Sequence, residues 1–103
     1  MILYNVTVNI DESVHNEWLA WMQEEHIPEV LATGLFTGHR FFRIITRLEG
    51  ETGITYSIQY FLENLENYHI YLAEFAPALQ AKSLMKWREK QAAFRTLLEE
   101  VEY

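Results

Sequence analysis

The stretch Glu17–Phe36, EWLAWMQEEHIPEVLATGLF, decides how the chain is read. Trp18, Trp21, Met22, Val30 and Leu31 recur at the spacing of one helical face. Pro28 has no backbone donor and crowds the preceding turn, so a helix kinks or restarts near His26 and Ile27. Gly34 supplies a left-handed stop. The pattern predicts a first helix from about Val14 to Thr33, broken at the proline, with Asp11 or Ser13 as its cap. An aromatic face of this kind needs a scaffold to receive it.

The flanking sequence provides one. In residues 2–10, Ile2, Tyr4, Val6, Val8 and Ile10 alternate with Leu3, Asn5, Thr7 and Asn9, as in a strand with one apolar face. Residues 36–48, FTGHRFFRIITRL, are rich in aromatic and β-branched types and read as a second strand. Residues 49–53, EGETG, read as a hairpin turn, with glycines available for positive φ. A third strand, Ile54–Leu62, places Ile54, Tyr56, Ile58, Tyr60 and Leu62 on one face. Asn64 caps a second helix with the stripe Leu65, Tyr68, Leu72, Phe75 and Leu79; Pro77 interrupts it before it resumes through Lys90. A last short strand runs from Ala93 to Val101.

The order β-α-β-β-α-β is the ferredoxin-like arrangement of the α+β class: a four-stranded antiparallel sheet with two helices on one face. Residues 1–103 form one domain. Trp18, Trp21, Tyr68 and Leu72 are expected against the apolar sheet face. The other face is expected to carry Asn5, Thr7, Ser57, Gln59 and Arg95 among Leu3, Phe61 and Leu97. That face is too apolar for open water and too polar for an ordinary core. It is expected to pack on a second copy, giving a homodimeric barrel.

Composition narrows the function classes. Half the residues are hydrophobic and 15% aromatic, enough for a core without staples. There is no cysteine, hence no disulfide framework and no thiolate site. The N-terminus alternates like a strand and has no secretory signal, and no apolar run approaches the roughly 18 residues that span a bilayer. These features point to a cytoplasmic protein with no membrane partner. Fifteen acidic residues against eight basic ones give a charge of −7, which disfavours nucleic acid. No phosphate loop, nucleophile elbow or calcium loop is present, and neither a metal nor a cofactor is expected.

The segments YNVTVNID (residues 4–11), EWLAWMQEEHIPEVLATGLF, YSIQYF, APALQ and FRTLLEEV resemble the dimeric α/β-barrel superfamily, and within it a small bacterial family of uncharacterised function. The superfamily includes antibiotic-biosynthesis-type monooxygenases, muconolactone isomerase-like proteins and stress-responsive barrel proteins. The resemblance covers nearly the whole chain. It implies the fold and a dimer, and no catalytic residue carries over from the family. In the cofactor-free monooxygenases of the superfamily, a cavity between sheet and helices holds a polycyclic substrate beside Asn, Trp and Tyr. Here Asn5, Trp18, Trp21, Tyr56, Tyr60 and Tyr68 supply such types, and Trp18, Trp21, Tyr56 and Tyr68 are the candidate ligand-binding residues. Asn5 departs from the pattern, because its strand position faces away from Tyr56.

His26 is the candidate proton acceptor, since imidazole ordinarily titrates near 6.5. With Glu29 it makes only a pair, too few for a metal site. Arg43 and Arg47 are expected in surface ion pairs, and His15 and His69 carry no assigned role. Three functions remain: a barrel binding a hydrophobic or aromatic small molecule, an interaction module with a filled core, and a cofactor-independent monooxygenase or isomerase with His26 or a tyrosine as proton acceptor. A pocket of roughly 300 Å3 walled by Trp18, Trp21 and Tyr68 would separate the first from the second.

Overall fold

The computed structural model describes residues 1–102. β1 (Ile2–Ile10) is extended because its apolar side chains fall on alternate positions, and it forms the middle of the sheet. A single 3₁₀ turn follows, capped by Asp11, whose carboxylate accepts from the Ser13 N–H at 2.8 Å. The first helical region is then built in three pieces. α1 (His15–Trp21) passes into a π-helical turn over Met22–His26, and α2 (Ile27–Leu31) restarts after it. The Ile27 N–H reaches back to the Met22 carbonyl. The extra residue in that turn lets Pro28 enter as one of the first residues of α2, where its missing donor costs no helical bond. Gly34 then takes φ 77°, the expected left-handed stop.

β2 (Gly38–Arg43) is shorter than the stretch 36–48 read as strand. Beyond it Ile45 and Leu48 are 87% and 81% exposed. The turn is gathered on Glu51 instead, whose carboxylate accepts from the Leu48 N–H at 2.9 Å and the Thr55 hydroxyl at 3.1 Å. Gly50 and Gly53 have φ 80° and 77°, as the turn requires.

β3 (Ile54–Leu62) lies between β2 and β1. Asn64 caps α3 (Leu65–Glu74), accepting from the Asn67 N–H at 2.9 Å. The chain breaks at Phe75, and α4 (Ala76–Trp87) starts with Pro77 in its first turn. The stripe of α3 differs from the sequence expectation. Leu65 and Leu72 are exposed, while Tyr71, one turn after Tyr68, is buried in the core. The break at Phe75 reorients the second half of the helix, so a single continuous stripe through residues 65–79 is not the surface that packs.

β4 (Gln91–Glu99) begins and ends earlier than the expected 93–101. Its pairing with β1 sets Thr7 opposite Phe94, Val6 opposite Arg95 and Tyr4 opposite Leu97. Arg95 and Leu97 therefore share the helix-side face, and Phe94, Thr96 and Leu98 join the outer face. This reverses the sequence assignment of that strand. The cause is the sequence AAFRTLLE, which has apolar residues on both parities and so carries no two-residue period.

The finished sheet is antiparallel in the order β2-β3-β1-β4, with the helices on one face: the expected ferredoxin-like fold. The core runs from Ile2, Tyr4 and Tyr60 at one end to Trp18 and Tyr56 at the other. Trp18, Ile10 and Leu62 are wholly enclosed.

Candidate functional site

Between the sheet and the helices, near β4, the packing leaves a cleft. Its floor is Val6 and Val8 of β1 and Ile58 of β3; Met22, His26 and Val30 come from the first helical region, and Leu79, Gln80 and Ser83 from α4. Tyr4, Tyr60 and Tyr71 add their rings to the lining, and Gln91, Ala93 and Arg95 of β4 complete it. The cavity measures about 30 Å3, room for a water or two. A larger hollow of about 460 Å3 lies on the surface between the β2–β3 turn and the start of the first helix. It is lined largely by charged residues such as Asp11, Glu12, Arg47 and Lys90 and has no apolar wall to hold an organic ligand.

Strand register and helix phase bring the polar groups of the cleft together. Tyr4 and Tyr60 are cross-strand partners with ring centroids 6.1 Å apart, and the Tyr71 ring is 5.7 Å from Tyr4. Burial raises the pKa of all three phenols; Arg95 opposes the shift at Tyr4 and Tyr71. They stay protonated and act as hydrogen-bond donors. Gln91 is locked in place, its Oε1 accepting from the Trp18 indole at 3.0 Å and its Nε2 donating to Ser83 at 3.0 Å.

His26 closes the π turn and stacks on Trp21 at 4.8 Å, and Trp21 in turn meets Trp87 edge-on at 5.6 Å. Burial lowers the His26 pKa to about 4, against the opposing pull of Glu29. Its Nδ1 is buried and has no hydrogen-bond partner among the described residues. Glu25 and Glu29 are engaged elsewhere: Lys82 of α4 bridges them at 3.0 and 2.7 Å and ties that helix to the first. The resting imidazole is neutral at pH 7, a hydrogen-bonding group and a weak base.

The sequence candidates fall in different places. His26 lines the cleft. Trp18 and Tyr56 form a separate cluster toward β2, their rings 5.0 Å apart and beside Phe41. There the Tyr56 hydroxyl meets His15 Nε2 at 2.6 Å, so His15 has a structural partner. Trp21 backs His26, and half-buried Tyr68 stands behind Tyr4 at 5.6 Å. None of Trp18, Trp21, Tyr56 and Tyr68 lines the cleft, and among the described residues neither the cleft nor the larger hollows are walled by these tryptophans. Tyr60, one of the aromatic types the sequence offered for a cavity, does line it, and sequence reasoning missed Tyr4, Tyr71, Gln80, Gln91 and Arg95. The available signal was tyrosine at matching positions of two same-face strands. Among the described residues no three His, Cys, Asp or Glu side chains gather as a metal site needs.

Residues 1–101 match the model of a family described as a domain of unknown function, DUF4286. The chain belongs to that family. No curated protein sequence matches it. Among solved structures, the DUF4286 chain is similar to an ethyl tert-butyl ether d (ethd) family protein from Bacillus halodurans, at TM-score 0.72 and 14% identity, with 98% of this chain and 100% of that one covered. It is similar to a dimeric ferredoxin-like protein from an uncultured marine organism, at TM-score 0.72 and 6% identity, with 99% and 96% covered. A monooxygenase from Streptomyces coelicolor in complex with the ligand Nanaomycin D aligns at TM-score 0.59 and 10% identity, with 99% and 90% covered. At these identities the likeness establishes the fold of the DUF4286 domain and nothing of its chemistry.

Proposed function

We propose that this DUF4286 domain is a cytoplasmic homodimer that binds a hydrophobic or aromatic small molecule, one polar group of which enters the cleft. The observation that carries the reading is the cleft itself: apolar walls around buried phenols and a buried, unpartnered imidazole nitrogen. Apolar surface with a few convergent polar groups is the usual composition of a ligand site. At about 30 Å3 the cavity takes a polar group and not a ring system, so the ligand's apolar body stays outside it. Trp18, Trp21, Tyr56 and Tyr68 then support the site from behind.

Binding fits these groups better than proton transfer. An imidazole titrating at about 4 is a poor base at neutral pH, and phenols raised by burial are poor bases as well. The dimer reading rests on the outer sheet face, where Phe42, Phe94 and Leu98 are exposed around half-buried Leu3 and Phe61. A structural neighbour described as dimeric supports it.

Native mass spectrometry of the purified protein tests both parts. The expected spectrum shows two chains with a retained small molecule, or a dimer that takes up added benzoate. A monomer at micromolar concentration overturns the dimer, and a dimer that takes up no aromatic probe overturns the ligand.

A further inference from the structure

We infer that the polar group the cleft receives is a single negative charge, a carboxylate, carried on a short apolar or aromatic body and held by Arg95 and the tyrosine hydroxyls. This rests on the small-molecule reading above and names the chemistry of its ligand.

The argument is a balance of donors, acceptors and charge. Arg95 lines the cleft together with Tyr4, from the β4 position paired with Val6, and its positive charge acts on the Tyr4 phenol. The guanidinium contributes only donors. Tyr4, Tyr60 and Tyr71 add phenolic O–H groups, and Gln80 adds an amide. The acceptors are fewer and partly engaged, since Gln91 Oε1 is taken by the Trp18 indole. Such a site is completed by an occupant rich in acceptors.

Charge selects the anion. The chain has fifteen acidic residues and eight basic ones, yet among the described residues no carboxylate lines the cleft and one arginine does. The carboxylates that act on His26, Glu29 and Glu25, are outside the lining and paired with Lys82. Keeping acid side chains out of a cleft in so acidic a domain favours an anion entering it. Size and charge then choose a carboxylate over a phosphate. Two oxygens match a cavity with room for a water or two, and one arginine balances one negative charge. Valines and Ile58 around that point leave a doubly charged group without further compensation.

The experiment is an NMR titration of the full chain with benzoate, benzamide, benzylamine and phenyl phosphate, following amides of the cleft residues, in the native protein and in Arg95→Gln. Arg95 is exposed on an edge strand, so this substitution preserves the fold, and far-UV circular dichroism checks it. Benzoate is expected to bind about tenfold tighter than benzamide, equivalent to about 1.4 kcal/mol. Benzylamine is expected to bind weakest, and Arg95→Gln to erase the preference for benzoate. Tyr71→Phe is expected to weaken benzoate more than benzamide. Benzamide binding as well as benzoate, or a preference that survives Arg95→Gln, overturns the carboxylate and leaves the small-molecule reading standing. Phenyl phosphate binding tighter than benzoate overturns the single charge. No response to any probe overturns the carboxylate and the small-molecule reading together.

Discussion

His26 shows how much a single residue's surroundings decide. The sequence singles it out beside Pro28, with an ordinary titration near neutrality. The fold then buries it against Trp21 and lowers its pKa from 6.5 to about 4. The group is thus harder to protonate in the folded chain than in the unfolded one. Between pH 6.5 and 4 the unfolded state binds more protons, so stability is full above pH 6.5 and falls as pH drops toward 4. A shift of this size corresponds to a loss on the order of 3 kcal/mol. Urea denaturation across that range is expected to show it, and His26→Gln is expected to flatten the acid limb relative to the native chain. Equal slopes in both proteins would show that His26 does not titrate as described. Trp18 makes the complementary point. Its aromatic character was legible in sequence, but whether an indole walls a cavity or fills a core depends on what lies opposite. Opposite are Phe41 and Tyr56, already in contact, with Gln91 on its indole nitrogen.

Elements were legible where burial is one-sided. β1 and β3 have an enclosed face and a half-open one, so their two-residue alternation survives in the sequence and their positions were read directly. The helix break at Pro28 and the turn glycines were legible for a similar reason, since backbone chemistry marks them locally. β4 was not, because both of its faces are exposed in the subunit and selection for one apolar parity is weak. The one-residue error in its facing hid Arg95, and with it the charged member of the cleft. The turn that leads into β4 also contains a strained residue. Arg88, in the turn after α4, has φ 50° and ψ −130°, a region that side chains with a Cβ rarely enter. Its side chain is exposed, and among the described residues its guanidinium makes only a 3.4 Å contact to the Met85 carbonyl. Arg88→Gly is expected to raise unfolding stability by about 1 kcal/mol, after the added freedom of glycine in the unfolded chain is offset. Chemical denaturation measures it, and a variant less stable than the native chain would mean that the guanidinium contributes more than its geometry implies.

At the scale of the molecule, the fold leaves one sheet face without a layer of its own. Asn5, Thr7, Ser57 and Gln59 satisfy one another across it, with Asn5 Nδ2 donating to Thr7 at 3.0 Å and the Ser57 hydroxyl donating to Asn5 Oδ1 at 2.5 Å. A polar strip whose bonds are already internal can be covered without a large desolvation cost. Around it Phe94 and Leu98 are 63% and 46% exposed, and Phe42 projects from the neighbouring edge strand. Apolar side chains grouped on one sheet face mark an interaction surface. A second copy in twofold relation meets the same strip with the same strip, so polar faces polar and aromatic faces apolar. Phe94→Glu places a like charge at both symmetry-related positions of such an interface, in chains that each already carry −7. Because Phe94 makes little use of its own subunit's core, the variant is expected to keep its circular dichroism spectrum. Its sedimentation is expected to change from a dimer to a monomer at micromolar concentration. If Phe94→Glu sediments as the native chain does and the native chain is a dimer, the subunits join through another surface, and the exposed faces of α4, where Leu84 and Met85 project, become the place to look.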